Sequence, residues 1–187
     1  MRPTVIKIGG GLLAVPGALE QVCATAAALG RQGPTVVVPG GGPLADAVRA
    51  LDGRLGLSDD TAHWMAVLAM DQYAHVLVER IEGGRLVEES GALAGVLGAR
   101  AVAVLAPSRW LRAADPLPHT WDATSDSVAA FVAGALDAER LVLVKPGEVG
   151  NEGVDPCFAM VVPAGLEVTV VGWQRFVAAM PPSPDSA

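Results

Sequence analysis

The chain holds two lysines, Lys7 and Lys145, and arginine supplies its other permanently cationic side chains. Each lysine closes an apolar run that reads as a strand, Val5–Lys7 and Leu141–Lys145. A compact ammonium on a flexible stem follows a moving phosphoryl group as a point charge, where a guanidinium fork is bulkier. Asp126 lies in the segment Thr124-Ser125-Asp126-Ser127. A carboxylate set between two lysines would hold both ammonium groups in place without entering a reaction. The same segment reads as a helix start, with Thr124 or Ser125 as its cap and Asp126 in the first turn.

Glycines provide the second chemical signal. Gly9, Gly10 and Gly11 follow the first strand, and Gly40, Gly41 and Gly42 follow the run Thr35–Val38 and Pro39. With no Cβ at such a junction, backbone approaches a ligand closely, and the free N–H groups of a helix start accept an anion. Each triplet therefore reads as a phosphate cradle. If the two strands are neighbours in a parallel sheet, both cradles open at the carboxyl edge, where open α/β sheets bind their ligands. Two facing cradles suit transfer of a phosphoryl group between bound molecules. That chemistry needs in-line placement and positive charge over the equatorial oxygens more than it needs covalent help. Neither loop is followed by Gly-Lys-Ser or Gly-Lys-Thr, so the pattern excludes a P-loop.

The elements that position these residues can be read in order. A short strand and the first loop lead to an alanine-rich helix, Ala18 to Leu29, ended by Gly30 and Gly33. The strand Thr35–Val38 and the second loop lead to a helix through about Leu51, with Asp52-Gly53 as a turn. Ser58 caps a long helix over 59–80, with Asp59 and Asp60 in its first turn. One face of that helix carries His63, Val67, Met70 and Asp71. Gly84 to Gly98 reads as glycine-interrupted helix, 101–105 as a strand and 108–114 as a short helix. Two prolines between Asp115 and Thr120 mark a boundary between an amino-terminal acceptor lobe, about 1–115, and a carboxy-terminal lobe, about 116–180, which the family resemblance given below makes the nucleotide lobe. Then come a helix over 125–136, a strand over 141–144, a glycine-rich loop over 146–153, a turn at Asp155-Pro156 and a strand over 167–171. Residues 181–187 read as a disordered tail. Strands alternating with helices predict an α/β fold, a three-layer αβα sandwich with a mostly parallel central sheet.

Composition limits the partners. The 187 residues are 51% hydrophobic with a net charge of -7, enough for one domain with a proper core and short of the basic surplus that nucleic acid or an anionic membrane requires. The apolar stretches are broken well short of about 18 residues, and the start enters a strand directly, so the expected location is cytoplasmic. Cys23 and Cys157 have no metal-ligand spacing and read as reduced thiols.

Three motifs together resemble the amino acid kinase superfamily of acetylglutamate, aspartate and uridylate kinases. They are Lys7-Ile8-Gly9-Gly10-Gly11, Pro39-Gly40-Gly41-Gly42 with Ala45-Asp46 and Arg49, and Thr124-Ser125-Asp126-Ser127 with Ala129-Ala130. The strings Ala62-His63-Trp64-Met65-Ala66, Ala69-Met70-Asp71-Gln72-Tyr73 and Leu117-Pro118 through Trp121 are similar to the branch that phosphorylates aminomethylfuran-methyl phosphate in methanofuran biosynthesis. The resemblance implies a kinase using ATP and Mg²⁺ on a phosphate monoester to give a diphosphate, and a homo-oligomer. Carried over by residue, it makes Lys7, Asp126 and Lys145 catalytic and both glycine triplets phosphate-binding. Asp46, Arg49, His63, Thr124 and Ser125 become substrate-binding, and no side chain is assigned to the metal. For this acceptor, His63 would hydrogen-bond the phosphate, Trp64, Tyr73 and Trp121 would flank a furan ring, and Asp46 or Asp71 would meet its ammonium.

One departure stands out. Where larger members carry a Thr- or Lys-Asp-Val-Asp-Gly segment for the nucleotide, this chain reads Lys145-Pro146-Gly147-Glu148-Val149-Gly150. Two other readings therefore stay open: a non-catalytic nucleotide- or oxyanion-binding protein on the same fold, and a kinase acting on a carboxylate or an isoprenoid phosphate.

Overall fold

The computed structural model describes residues 1–148 and 153–179. Six strands form one sheet in the order β3-β4-β2-β1-β5-β6, and every pairing is parallel. The strands are β1 (Thr4–Ile8), β2 (Thr35–Pro39), β3 (Gly84–Val87), β4 (Val102–Leu105), β5 (Arg140–Lys145) and β6 (Glu167–Gly172). The helices are α1 (Ala18–Gln32), α2 (Gly42–Leu55), α3 (Asp59–Arg80), α4 (Ser90–Gly98), α5 (Ser108–Ala114), α6 (Ser125–Ala135), α7 (Phe158–Val161) and α8 (Trp173–Ala179), with a 3-10 turn at Gly10–Ala14.

β1 lies between β2 and β5, and the central strands are buried on both faces, as continuous Val and Ile runs require. Side chains alternate across a strand, so β1 sends Val5 to one face and Ile6 and Ile8 to the other. On the first face Val5, Val36, Val38, Leu141 and Leu143 pack with α6 through Val128, Ala129 and Val132. On the second, Ile6, Ile8, Val37 and Val144 pack with α1 and with Phe176 of α8. Burying each such Val, Leu or Ile stabilises the fold by about 1.5–3 kcal/mol. By the same alternation Lys7 shares the face of Val5, and Lys145 the face of Leu141 and Leu143. Both ammonium stems therefore leave the sheet toward α6.

The α/β sandwich expected from the sequence is present, with corrections. The stretch read as broken helix from Gly84 begins with β3, an edge strand set in register by β4. Asp52-Gly53, expected as a turn, lies inside α2. A mid-helix glycine costs only about 1 kcal/mol against alanine, and the helix instead stops at Gly56 in the left-handed conformation, φ 61°. Ser58 caps α3 as expected, accepting from Thr61 N at 3.2 Å. Two short helices, α7 and α8, were not anticipated. The expected tail over 181–187, and Val149 and Gly150 of the nucleotide segment, lie outside the described residues.

Candidate active site

β1 and β5 run side by side, so their carboxyl ends deliver both lysines to one edge. Lys7 Nζ lies 3.1 Å from Asp126 Oδ1, and Lys145 Nζ lies 2.5 Å from Oδ2. The second contact is an aligned hydrogen bond. The first is an ion pair whose carboxylate oxygen has no aligned donor. Thr124 places Asp126 by capping α6, its hydroxyl oxygen 3.4 Å from Asp126 N. Lys7 and Asp126 are buried, while Lys145 keeps 22% of its side chain exposed. Within this triad two ammoniums face one carboxylate, an excess of positive charge that the nearby Asp155 carboxylate partly offsets at Lys7.

Burial shifts both ends of the Lys7–Asp126 pair. It pulls the Lys7 ammonium below the ordinary lysine value; Asp126 opposes that pull, and Lys145 adds to it. For Asp126, burial alone would raise the carboxyl, but Lys7 and then Lys145 outweigh it and hold the group below the usual carboxylate range.

The glycine loops meet each other. A Cβ on Gly10 would fall 2.2 Å from Gly42 Cα, and one on Gly42, whose φ is +52°, would fall 2.8 Å from Gly10 Cα. These two glycines are required by mutual backbone packing, whatever ligand the loops approach. Gly40 N donates to Ile8 O at 2.8 Å and Gly9 N to Val144 O at 3.2 Å, which ties both loops to the strand ends. A Cβ on Gly9 would stand 3.6 Å from Lys7 Nζ, and Gly11 faces solvent beside Pro146.

Gly41 and Gly42 also wall a cavity of about 190 Å³ between α2, α3 and the start of α6. Asp46, Arg49, His63, Thr124 and Ser125, the five residues expected to bind substrate, all line it. Ala62, Ala66, Val67 and Met70 of α3 and Val128 of α6 give it apolar surface. Trp121 is fixed at its rim, donating from Nε1 to Asp52 Oδ2 at 2.7 Å, with Arg49 stacked 4.4 Å from the ring centroid. Burial, and next to it the neighbouring His119, lower the His63 imidazole below its ordinary range.

Three residues proposed for a furan acceptor stand elsewhere. Tyr73 is a fully buried core side chain, and Asp71 caps α5 by accepting from Ser108 N at 3.0 Å and from the Ser108 hydroxyl. Trp64 lies outside the cavity wall, under Arg112. Two residues escaped sequence reading. His119 lines the cavity and stacks on His63 with ring centroids 4.0 Å apart. Asp155, read as a turn residue, accepts from Thr124 N at 3.1 Å, Thr124 Oγ1 at 2.8 Å, Ser127 N at 2.9 Å, Cys157 N at 3.1 Å and the Ser127 hydroxyl. It ties the segment before α7 to the start of α6. Its partners on α6 lie about thirty residues earlier in the chain, so no local spacing announces them.

The amino acid kinase family matches residues 2–146, a span that includes both lysines, both glycine loops and Asp126. The chain belongs to that family. Among curated proteins, it is 31% identical over 108 residues to the [5-(aminomethyl)furan-3-yl]methyl phosphate kinase of Methanocaldococcus jannaschii, covering 58% of this chain and 50% of that protein. The chain thus aligns with about half the length of this relative. Among solved structures, the uridylate kinase of Archaeoglobus fulgidus superposes with a TM-score of 0.62 at 18% identity, over 83% of this chain and 70% of that one. The UMP kinase of Bacillus anthracis gives 0.61 at 16% identity, over 80% and 66%. These two likenesses establish the amino acid kinase fold. Among the described residues no helix is long and apolar enough to cross a membrane.

Proposed function

We propose that the chain is an ATP-dependent phosphotransferase acting on a compact phosphate monoester, with an aminomethylfuran-methyl phosphate as the acceptor of first choice. The observation that carries this reading is the convergence of Lys7 and Lys145 on Asp126 beside two joined glycine loops and a small cavity. A volume of about 190 Å³ favours a compact acceptor, being below the roughly 300–1,000 Å³ of drug-sized sites. The likeness to the M. jannaschii kinase supports the furan. The apolar α3 wall suits its ring, Arg49 and His63 suit an oxyanion, and Asp46 suits an ammonium.

The reaction follows from this arrangement. An oxygen of the acceptor phosphate forms a bond to the γ-phosphorus of ATP as the bond from that phosphorus to the β-phosphate oxygen breaks, giving a diphosphate and ADP. A phosphate monoester has its second pKa near 6, so the nucleophile is largely dianionic at neutral pH and needs no general base. Lys7 and Lys145 offset charge on the transferring group, and Asp126 keeps the two ammoniums from separating. Mg²⁺ would neutralise the triphosphate, bound chiefly through phosphate oxygens and water. The carboxylates of Asp126 and Asp155 are already committed to ammonium, amide and hydroxyl donors.

Purified protein with ATP, Mg²⁺ and the furan phosphate should release ADP only when the acceptor is present and should form the diphosphate. UMP and carboxylate acceptors serve as comparisons. ATP binding without acceptor-dependent ADP release would overturn the kinase reading in favour of a binding protein. A faster rate with a carboxylate would overturn the acceptor.

A further inference from the structure

Two of the chain's three histidines converge at the mouth of the cavity, together with two carboxylates from neighbouring elements. His63 lies one turn into α3, Asp60 precedes it by three residues on the same face, Asp115 ends α5, and His119 follows in the loop toward α6. His119 Nδ1 lies 3.0 Å from Asp60 Oδ1, and His119 Nε2 lies 2.9 Å from Asp115 Oδ1. Ligand atoms of His63, His119 and Asp115 all fall within 4.8 Å of one another. We propose that His63, His119 and Asp115 form a site for a divalent transition metal, with Zn²⁺ as its occupant and Asp60 as the residue that orients His119.

The donor set decides the class of ion. Two imidazoles and a carboxylate suit Zn²⁺ and its neighbours, whereas Mg²⁺ prefers oxygen alone, so this site is separate from any ion carried by ATP. Metal-bound histidines commonly donate their other ring N–H to a carboxylate, which fixes tautomer and ring plane. The contact between His119 Nδ1 and Asp60 has that form and leaves Nε2 directed at Asp115. Tetrahedral Zn²⁺ holds N and O ligands roughly 3.4 Å apart and each imidazole lone pair lies in its ring plane, so the ion needs side-chain shifts on the order of 1 Å and a ring rotation that unstacks His63 from His119. Trp64 stands edge-on to both rings, at 4.9 and 5.4 Å between centroids, and donates from Nε1 to Asp60 Oδ1 at 3.2 Å, which holds the carboxylate that faces His119. Three protein ligands leave a fourth position, and both histidines line the cavity. That position would take an oxyanion of the acceptor. This last step rests on the kinase reading; metal binding does not.

The test uses untagged, metal-stripped protein with Zn²⁺ alone and no nucleotide. Equilibrium dialysis should find one Zn²⁺ per chain. Zn²⁺ titration of the unmutated protein should shift the imidazole NMR signals of His63 and His119 and leave exposed His75 unmoved. Asp60→Asn should weaken binding about 10- to 100-fold. His63→Ala and His119→Ala should weaken it at least as much, and His75→Ala not at all. Failure to bind stoichiometric Zn²⁺, or titration shifts at His75 alone, would overturn the site and leave His119 as a structural link between Asp60 and Asp115. Because the readout is metal occupancy, a negative kinase assay bears on the acceptor and not on this proposal.

Discussion

Lys7 and Leu143 are register partners on adjacent parallel strands, which places Lys145 one step of the same pleat face beyond Leu143. That register lets two side chains far apart in the chain share one carboxylate on α6. A one-residue slip of β5 against β1 would send Lys145 to the α1 face.

Removing the Lys7 charge should act on the transition state. Lys7→Ala is expected to lower kcat by about 10²-fold or more, with a smaller effect on the KM for ATP. Steady-state assays check it, and turnover equal to the unmutated protein would reject the role.

Lys7 should also set the alkaline limit of the enzyme. Its pKa is lowered from 10.5 chiefly by burial, so the ammonium is complete below that lowered value and is lost as pH rises through it. The alkaline limb of kcat/KM should therefore lie below the ordinary lysine range. Lys7→Arg, which stays charged, should move that limb upward even while it reduces the rate. A limb unmoved by Lys7→Arg would assign it to another group.

Asp126→Asn leaves the buried Lys7 ammonium and the partly exposed Lys145 ammonium facing a neutral amide, and loss of the buried pair should destabilise the fold by about 3–5 kcal/mol in urea denaturation. The acid behaviour has a definite sign. Burial raises the Asp126 carboxyl but the lysines lower it further, so its folded pKa lies below the unfolded value. Its stabilising contribution is complete above the ordinary carboxylate range and disappears as pH falls through the lowered folded pKa. Asp126→Asn should accordingly flatten the acid limb of the stability curve.

Gly10→Ala puts a methyl 2.2 Å from Gly42 Cα, where only backbone movement relieves it, and should lower both Tm and activity. Gly53→Ala is the contrast: it lies in exposed helix with nothing within 4 Å of a new Cβ, and should raise stability by up to about 1 kcal/mol without altering the rate. Thermal melts of the two variants check the pair.

Asp155→Ala withdraws the acceptor from Thr124, Ser127 and Cys157 together. Loss of caps alone costs about 0.5–2 kcal/mol, so a fall in stability at least that large is expected, with a weaker acceptor response because Thr124 and Ser125 shift. Calorimetry and the KM for the acceptor check both parts.

What the sequence disclosed follows from the range of the forces involved. Lys7, the glycine triplets and the Thr124–Asp126 helix start rest on patterns a few residues long, and the structure brings them to one edge as the parallel-sheet reading requires. β3 was missed because Gly84-Arg85-Leu86-Val87 has no strand pattern of its own and is specified by pairing with β4. His119 and Asp155 were missed because the partners that give them their place, Asp60 and His63 for the one and Thr124 and Ser127 for the other, lie in other elements, reached only after the chain has folded. Asp71 failed as a substrate contact because Ser108, across the α3–α5 packing, takes both of its oxygens.

Gly10 and Gly42 meet backbone to backbone, so no side-chain rotamer is left to adjust where the two loops join. The gap across which a group would hop is thereby cast when the polypeptide folds, before any small molecule arrives. Adaptation to different acceptors has to be sought in the opposite wall, among the side chains of α3.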